Sequence, residues 1–553
     1  MTVQARASTV WPIRPGLAAL PLLSLVALTV AGCVSVTRFL IPPEAPKPRA
    51  QTAAQASQRT ADAVFLVGAV HGTTDRALAI RGNVVHVVGT PADVTPLRTA
   101  DTVVVKAPTG YLTLGLVDAH VHIEGAAMLR DAADLRGVDS APSLFKAIEK
   151  ARPLADQWLW GFGLTQAQWA RLSQDQVDTA CGDLPCYLSR DDGHGARISS
   201  GLAAWMSEDM QDLFRAQAGK LEGELARRVW RALPATRPER LSPLVRQVLD
   251  DLQQGGVVEV HAMGESMALV HVLRQLDREG RLPVRIKVFI DADRPEAGLL
   301  LEGADKGKAS AKVQIAGLKL WLDGTLGAHT AALQLPYADT ASSGELRYAD
   351  SELRERIRDA DAAGLQVAVH AIGDRAVAQV ARVVRSLNRS SKAAPVRIEH
   401  AQIVPPEVRE MLWGLPVECS VQPRHALQDA PFAKIRLGAE RLAWAYPALA
   451  LVPVCPVRAG SDFPIAASDP LADWRLMAAT NPVELGAEAT AGTVREKALA
   501  ALTSAGSARH DAVIRIGDVA DLVLWDKDPF AQGSQARPLY VVVGGALQQV
   551  IAR

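Results

Sequence analysis

The chain of 553 residues carries 60 basic and 60 acidic side chains, so its formal net charge is zero. That balance lacks the basic excess a nucleic-acid partner requires. Hydrophobic residues make up 48% of the chain, enough for a large core, and five cysteines in so long a chain exclude a disulfide scaffold. Cys181 and Cys186 are near enough in sequence to pair in an oxidising compartment; two unpaired core thiols are the equal alternative.

Arg6 and Arg14 precede an almost wholly apolar run over residues 17–30, and the segment closes on Val30-Ala31-Gly32-Cys33. Basic, apolar and small-residue regions in this order read as a signal peptide over 1–33. The run falls short of the ~20 apolar residues of a membrane span. Its close resembles a bacterial lipobox, which implies lipidation at Cys33 and an exported body tethered to a membrane of the cell envelope. Several acyl chains hold firmly where one holds marginally. An uncleaved anchor is the alternative, and it too places the body outside the cytoplasm. Residues 34–60 are polar, rich in Pro and Ala and without periodicity, as in a flexible linker.

Short β-like pieces separated by Gly and Asp/Asn follow over 61–113, and the same character returns over 506–553. We expect one small β-sandwich domain built from both ends of the mature chain. Between them, over 114–505, strand and helix patterns alternate, as in parallel βα units, with an insertion over about 125–250. The strand-like runs are apolar on both faces, which suits a buried parallel sheet. Many end in, or just before, His, Asp or Lys. A (β/α)8 TIM barrel builds its active site at that edge of its strands. A core would not choose such residues, because buried ionisable groups are costly unless paired or metal-bound.

The barrel opens with LGLVDAHVHIEG, where His120 and His122 lie two apart on a strand and so face the same way. Two neutral imidazoles side by side are the beginning of a metal site. Four further motifs follow in order: GLKLWLDGTLGAHTAAL with Lys319, VAVHAIGDRA with His370, VRIEHAQ with His400, and RAGSDFP with Asp462.

In that order and spacing the chain resembles the amidohydrolase superfamily of metal-dependent TIM-barrel hydrolases. Within it the likeness is to the amidohydrolase-3 branch, which includes N-substituted formamide deformylase-like proteins. It spans about residue 61 to the C-terminus. The resemblance implies one or two divalent ions, zinc being expected, held by His120, His122, Lys319, His370, His400 and Asp462. Lys319 stands where the family lysine is often carboxylated and bridges two metals. By the same resemblance Asp462 is expected to be the metal-bound carboxylate and catalytic proton shuttle. His194, His261 and His425 stand near the substrate by the same comparison, with plain loop or core histidines as the alternative. GVVEVHAMG and VRIKVFIDA serve as the second and third strands, while CYLSRDDGH belongs to the insertion. Asp323 and Gly324 are expected to shape a turn. Glu399, next to His400, is expected on the opposite face with a structural role, pairing with Arg397 or a helix. Ala262, His329 and Phe162 depart from the family pattern on the substrate side and leave the ligands intact.

The implied activity is hydrolysis of a non-peptide C–N bond (amide, formamide or cyclic amide) by a metal-activated hydroxide. Ester or lactone hydrolysis on the same site is the second reading. A catalytically silent, substrate-binding lipoprotein is the reading from another class. The expected partners are a small-molecule substrate and, through the N-terminal lipid, a membrane; the oligomeric state is not legible.

Overall fold

The computed structural model describes residues 60–550 apart from 152, 154–156, 192, 194, 304, 306–309, 481–489, 504–508 and 510. The leader, Cys33 and almost all of the linker lie outside these residues, as does His194.

Eight parallel strands form the central sheet: β1 (Leu116–Val121), β2 (Val257–Glu265), β3 (Arg285–Asp291), β4 (Val313–Trp321), β5 (Gln366–Ala371), β6 (Val396–His400), β7 (Val417–Val421) and β8 (Val457–Ala459). They pair in sequence order from β1 to β8, and a single parallel bridge between Val121 and Phe463 brings the last strand round to the first. This is the (β/α)8 barrel, with the expected motifs on the expected strands. Helices such as Met267–Arg278, Asp350–Ala363 and Asp374–Ser386 cover it. With both faces of the sheet covered, the strands read as continuous apolar runs: all six residues of β1 are buried.

The two β-rich ends meet in one seven-stranded sheet with an unbroken ladder. At its centre, Val103–Leu114 pairs in parallel with Ala63–Val70 and antiparallel with Leu522–Trp525. Gly115 is the joint between this sheet and the barrel. A Cβ there would lie 2.3 Å from the Val258 side chain, and its N–H donates to the Asp521 carbonyl at 2.7 Å. Leu114 therefore ends the small domain rather than opening the barrel.

The insertion between β1 and β2 carries its own five-stranded sheet, in which Cys186–Arg190 is the middle strand. It has a separate core including Leu135, Leu144, Leu159 and Leu188. Cys181 and Cys186 form a disulfide inside it, and Cys419 on β7 is bridged to Cys455 just before β8, with Cα separations of 6.3 and 6.2 Å. Among the described residues no helix is long and apolar enough to cross a membrane.

Candidate metal centre

The strand ends bring the expected ligands together. His120 on β1 and His122 just after it face the same side, with ring centroids 5.3 Å apart. Lys319 on β4 is fully buried, with Nζ 3.3 Å from His120 Nε2 and 4.3 Å from the Trp321 ring centroid. His370 and His400, from β5 and β6, have ring centroids 4.5 Å apart, and His400 lies 5.0 Å from His120. Asp462 follows β8. Its Oδ1 is 3.0 Å from His122 Nε2 and 3.5 Å from His120 Nε2, and its Oδ2 is 3.5 Å from His425 Nε2.

Two of these residues hold left-handed backbone: His400 at φ 72° and Asp462 at φ 60°. Such a conformation costs about 1–3 kcal/mol at a non-glycine residue and persists only where the surroundings impose it. Here it has a geometric result. On β6, strict alternation would put Glu399 and His400 on opposite faces. The reversal at His400 instead lets both side chains reach the barrel interior.

Neighbours fix the ring orientations. His120 Nδ1 is 2.7 Å from Glu399 Oε2, and His122 Nδ1 is 2.7 Å from the Met263 carbonyl. His370 Nε2 lies 3.1 Å from the Gly324 carbonyl. A carboxylate or carbonyl can only accept, so each of these nitrogens carries the proton and the opposite nitrogen keeps its lone pair. This is the arrangement a metal-binding histidine needs. Asp118 secures the loop that carries Asp462, accepting the Ser461 N–H at 2.8 Å and the hydroxyls of Ser461 and Ser468 at 2.6 and 2.7 Å. Asp323 shapes its turn as expected, accepting from the N–H groups of Ala332, Ile372 and Gly373 at 2.9, 3.1 and 2.8 Å.

The electrostatics favour metal-ready protonation states. Burial, with the neighbouring Lys319, holds His120 well below the ordinary imidazole range, and burial with His370 does the same to His400. Burial lowers Lys319 to about 8, although Glu399 and Asp462 pull the other way. Burial alone would raise Asp462, but the imidazoles of His120, His122 and His425 beside it lower it on balance. His400 Nδ1, His425 Nε2 and Asp462 Oδ1 are buried without a hydrogen bond among the described residues. Buried polar atoms seldom go unsatisfied. A set of imidazole and carboxylate donors left so matches the ligand chemistry of a divalent ion. Two overlapping clusters have the required spacing, His120–His122–Asp462 and His400–His425–Asp462.

His122, His370, His400 and Asp462 line a cavity of about 740 Å³, walled by Trp321, Phe432 and, from the insertion, Trp158 and Trp230; His120 and Lys319 are buried behind them. His425 lines the cavity, and its Nε2 also enters the second cluster. His194 lies outside the described residues, though its neighbours Asp191 and Gly193 line the cavity. His261 does not reach the cavity. It sits in the middle of β2, buried below the ligands, with Nε2 3.0 Å from Glu259 and Nδ1 2.6 Å from Arg397. The substrate-side expectation for His261 is corrected accordingly: β2 continues to Glu265, and Gly264 and Glu265 are what it shows to the cavity. Glu399 is the residue the sequence reading misplaced. It pairs with Arg397 as expected, but inside the barrel and in contact with His120. The available signal was Arg397-x-Glu399, two opposite charges on one face of an apolar strand.

An eight-stranded parallel barrel with His and Asp clusters fit for a divalent ion, at the strand ends beneath a cavity, is the frame of a metal-dependent TIM-barrel enzyme. The profile of the amidohydrolase family matches residues 104–548, and the chain belongs to that family. It is 27% identical to the Bacillus subtilis protein YtcJ over 387 residues, 65% of this chain and 71% of YtcJ. It is 25% identical to LONG AFTER FAR-RED 3 of Arabidopsis thaliana over 520 residues, 85% of this chain and 87% of that protein. An uncharacterized metal-dependent hydrolase from Pyrococcus horikoshii OT3 superposes with a TM-score of 0.70 at 25% identity, covering 85% of this chain and 98% of that one.

Proposed function

We propose that this hydrolase cleaves a non-peptide C–N bond, in an amide, a formamide or a cyclic amide. The observation that carries the reading is Asp462, a buried carboxylate with three imidazoles within 3.5 Å at the floor of an aromatic-walled cavity. A divalent ion, zinc on this reading, supplies Lewis acidity that makes water nucleophilic near neutral pH and polarises a carbonyl. His120, His122, His370, His400 and Asp462 are its proposed ligands, with Lys319 as a carbamate if two ions are held. A lysine lowered to about 8 by burial offers the neutral amine that takes up carbon dioxide. Asp462 accepts the proton of the attacking water and passes it to the leaving nitrogen, the step that separates an amidohydrolase from a binding protein. His425, 3.5 Å from Asp462, is placed to hold the substrate or the developing oxyanion. Trp321 and the insertion's tryptophans exclude water and seat an apolar substituent.

The leader and Cys33 support export and lipid anchoring, and two disulfides fit an oxidising compartment outside the cytoplasm. Mass analysis of the mature protein should find the chain beginning at an acylated Cys33; an unmodified chain retaining residues 1–32 would sink this part.

The test of function is metal analysis of purified protein, then a panel of N-formyl, N-acyl and cyclic amides beside their matched esters and lactones. Turnover confined to the amides is expected. Metal-free protein with full activity, or turnover confined to esters, would refute the reading.

A further inference from the structure

Below the ligands, the barrel interior is crossed by a line of charged side chains that the proposed chemistry does not use. Arg397 and Glu399, both on β6, are completely buried. Glu399 Oε2 meets His120 Nδ1 at 2.7 Å, and its Oε1 lies 2.6 Å from Arg397 Nε. Arg397 Nη1 reaches His261 Nδ1 at 2.6 Å, and Nη2 donates to Ser420 Oγ at 2.8 Å and to the carbonyl of Ala119, the residue before His120. Beyond His261, Glu259 accepts from His261 Nε2 at 3.0 Å and from Lys287 Nζ at 2.8 Å, and pairs with Arg285, which in turn binds Asp521 of the small β-domain.

The direction of each bond follows from what the groups can do. Arginine only donates, so His261 Nδ1 is the acceptor and its proton sits on Nε2, facing Glu259. Glutamate only accepts, so His120 donates from Nδ1, and its Nε2 lone pair is aimed at Lys319 and Asp462. Arg397 thus holds His120 twice, by the carboxylate on its ring and by the carbonyl preceding it.

We propose that Arg397 and Glu399 are positioning residues for metal binding: together they fix the tautomer and the orientation of His120. The inference rests on the metal reading but not on the identity of the substrate. It has a consequence specific to the order of donors. In Glu399→Gln the amide must offer its carbonyl to Arg397, because Arg397 cannot accept. The amide nitrogen then faces His120 Nδ1 and forces the proton onto Nε2, where the metal would bind. Replacing Arg397 as well frees the amide to turn round.

The experiment uses the full chain, freed of metal, with cobalt(II) as the probe. Dissociation constants are measured by chelator competition, and histidine tautomers by 15N NMR, with His120→Gln as the assignment control. Glu399→Gln should weaken cobalt binding about 10–100-fold, the usual cost of losing a partner behind a metal-binding histidine. Its metal-free melting temperature should fall, since neutralising Glu399 leaves buried Arg397 with Glu418, 3.9 Å away, as its remaining carboxylate partner among the described residues, so affinity is compared among folded variants. Glu399→Gln with Arg397→Met should bind cobalt more tightly than Glu399→Gln alone. A purely structural role predicts the reverse, since the double variant removes more of the buried network. Equal cobalt affinity in native protein and Glu399→Gln, or no recovery in the double variant, overturns the proposal. So does a native metal-free protein with the His120 proton on Nε2, a readout that survives if the variants do not fold. Native protein that binds no cobalt at all would instead overturn the metal reading.

Discussion

The two ends of the barrel interior treat charge in opposite ways. At the lower end, Glu259, Arg285, Lys287, Glu418, Arg458 and Asp521 are joined in ion pairs, most at 2.6–3.3 Å. At the upper end, His400, His425 and Asp462 keep buried atoms that hydrogen-bond to nothing among the described residues. The lower carboxylates Glu259, Glu418 and Asp521 are as buried as the upper residues, so desolvation alone does not separate the two ends. Saturated charges hold shape, whereas unsaturated ones wait for a ligand, and Arg397 and Glu399 lie where one regime hands over to the other.

Breaking each end should therefore have a different signature. The largest effect is expected from Asp462→Asn, which removes the proposed proton acceptor. Activity on a cleavable amide should fall by about 10³-fold. The melting temperature of the metal-free protein should hardly move, since Asp462 has few bonds to lose. Full activity in this variant would erase the contrast. Arg397→Ala acts at the handover between the two ends and strands Glu399 as an unpaired buried charge. Breaking a buried pair in this way costs about 3–5 kcal/mol, measurable by urea unfolding. A variant as stable as the native protein would mean that the interior line carries no structural weight.

The pH dependence sharpens the same point. Burial, with Arg397 nearby, lowers His261 from 6.5 to about 4. The unfolded chain then takes up this proton at a higher pH than the folded one. His261 has no effect on stability above about pH 6.5, and stability declines as pH falls from there to about 4. Across that window the loss is about 3 kcal/mol, at 1.36 kcal/mol per pH unit. His261→Gln should flatten that part of the stability curve; an unchanged slope would show that His261 is not held neutral. The smallest effect is expected at the surface. Arg136 pairs with Asp134 at 2.7 Å, but both side chains are well exposed. Arg136→Ala should change stability by less than about 1 kcal/mol, with no change in activity.

Much of this was legible along the chain. Period-two alternation was enough to place His120 and His122 on one face, and both-face-apolar runs ending in polar residues announced a parallel barrel. The order of Lys319, His370, His400 and Asp462 matched β4, β5, β6 and the end of β8. Three matters were not legible. Glu399 could not be assigned its face, because the alternation rule assumes an unbroken pleat and His400 breaks it at φ 72°. His261 could not be set at its depth, because depth depends on where β2 ends, and β2 runs four residues past it to Glu265. The Cys419–Cys455 bridge joins residues 36 apart, a pairing that no local pattern announces.

Sequence alone therefore determined the residue types of a candidate metal site and, through its likeness to the amidohydrolase family, a hydrolase, since residue type and strand period are local properties that survive without knowledge of the fold. Tertiary structure alone decided which nitrogen of each histidine keeps its lone pair. That choice belongs to the partner on the far side of the ring, and Glu399, Met263 and Gly324 are brought there only when the barrel closes.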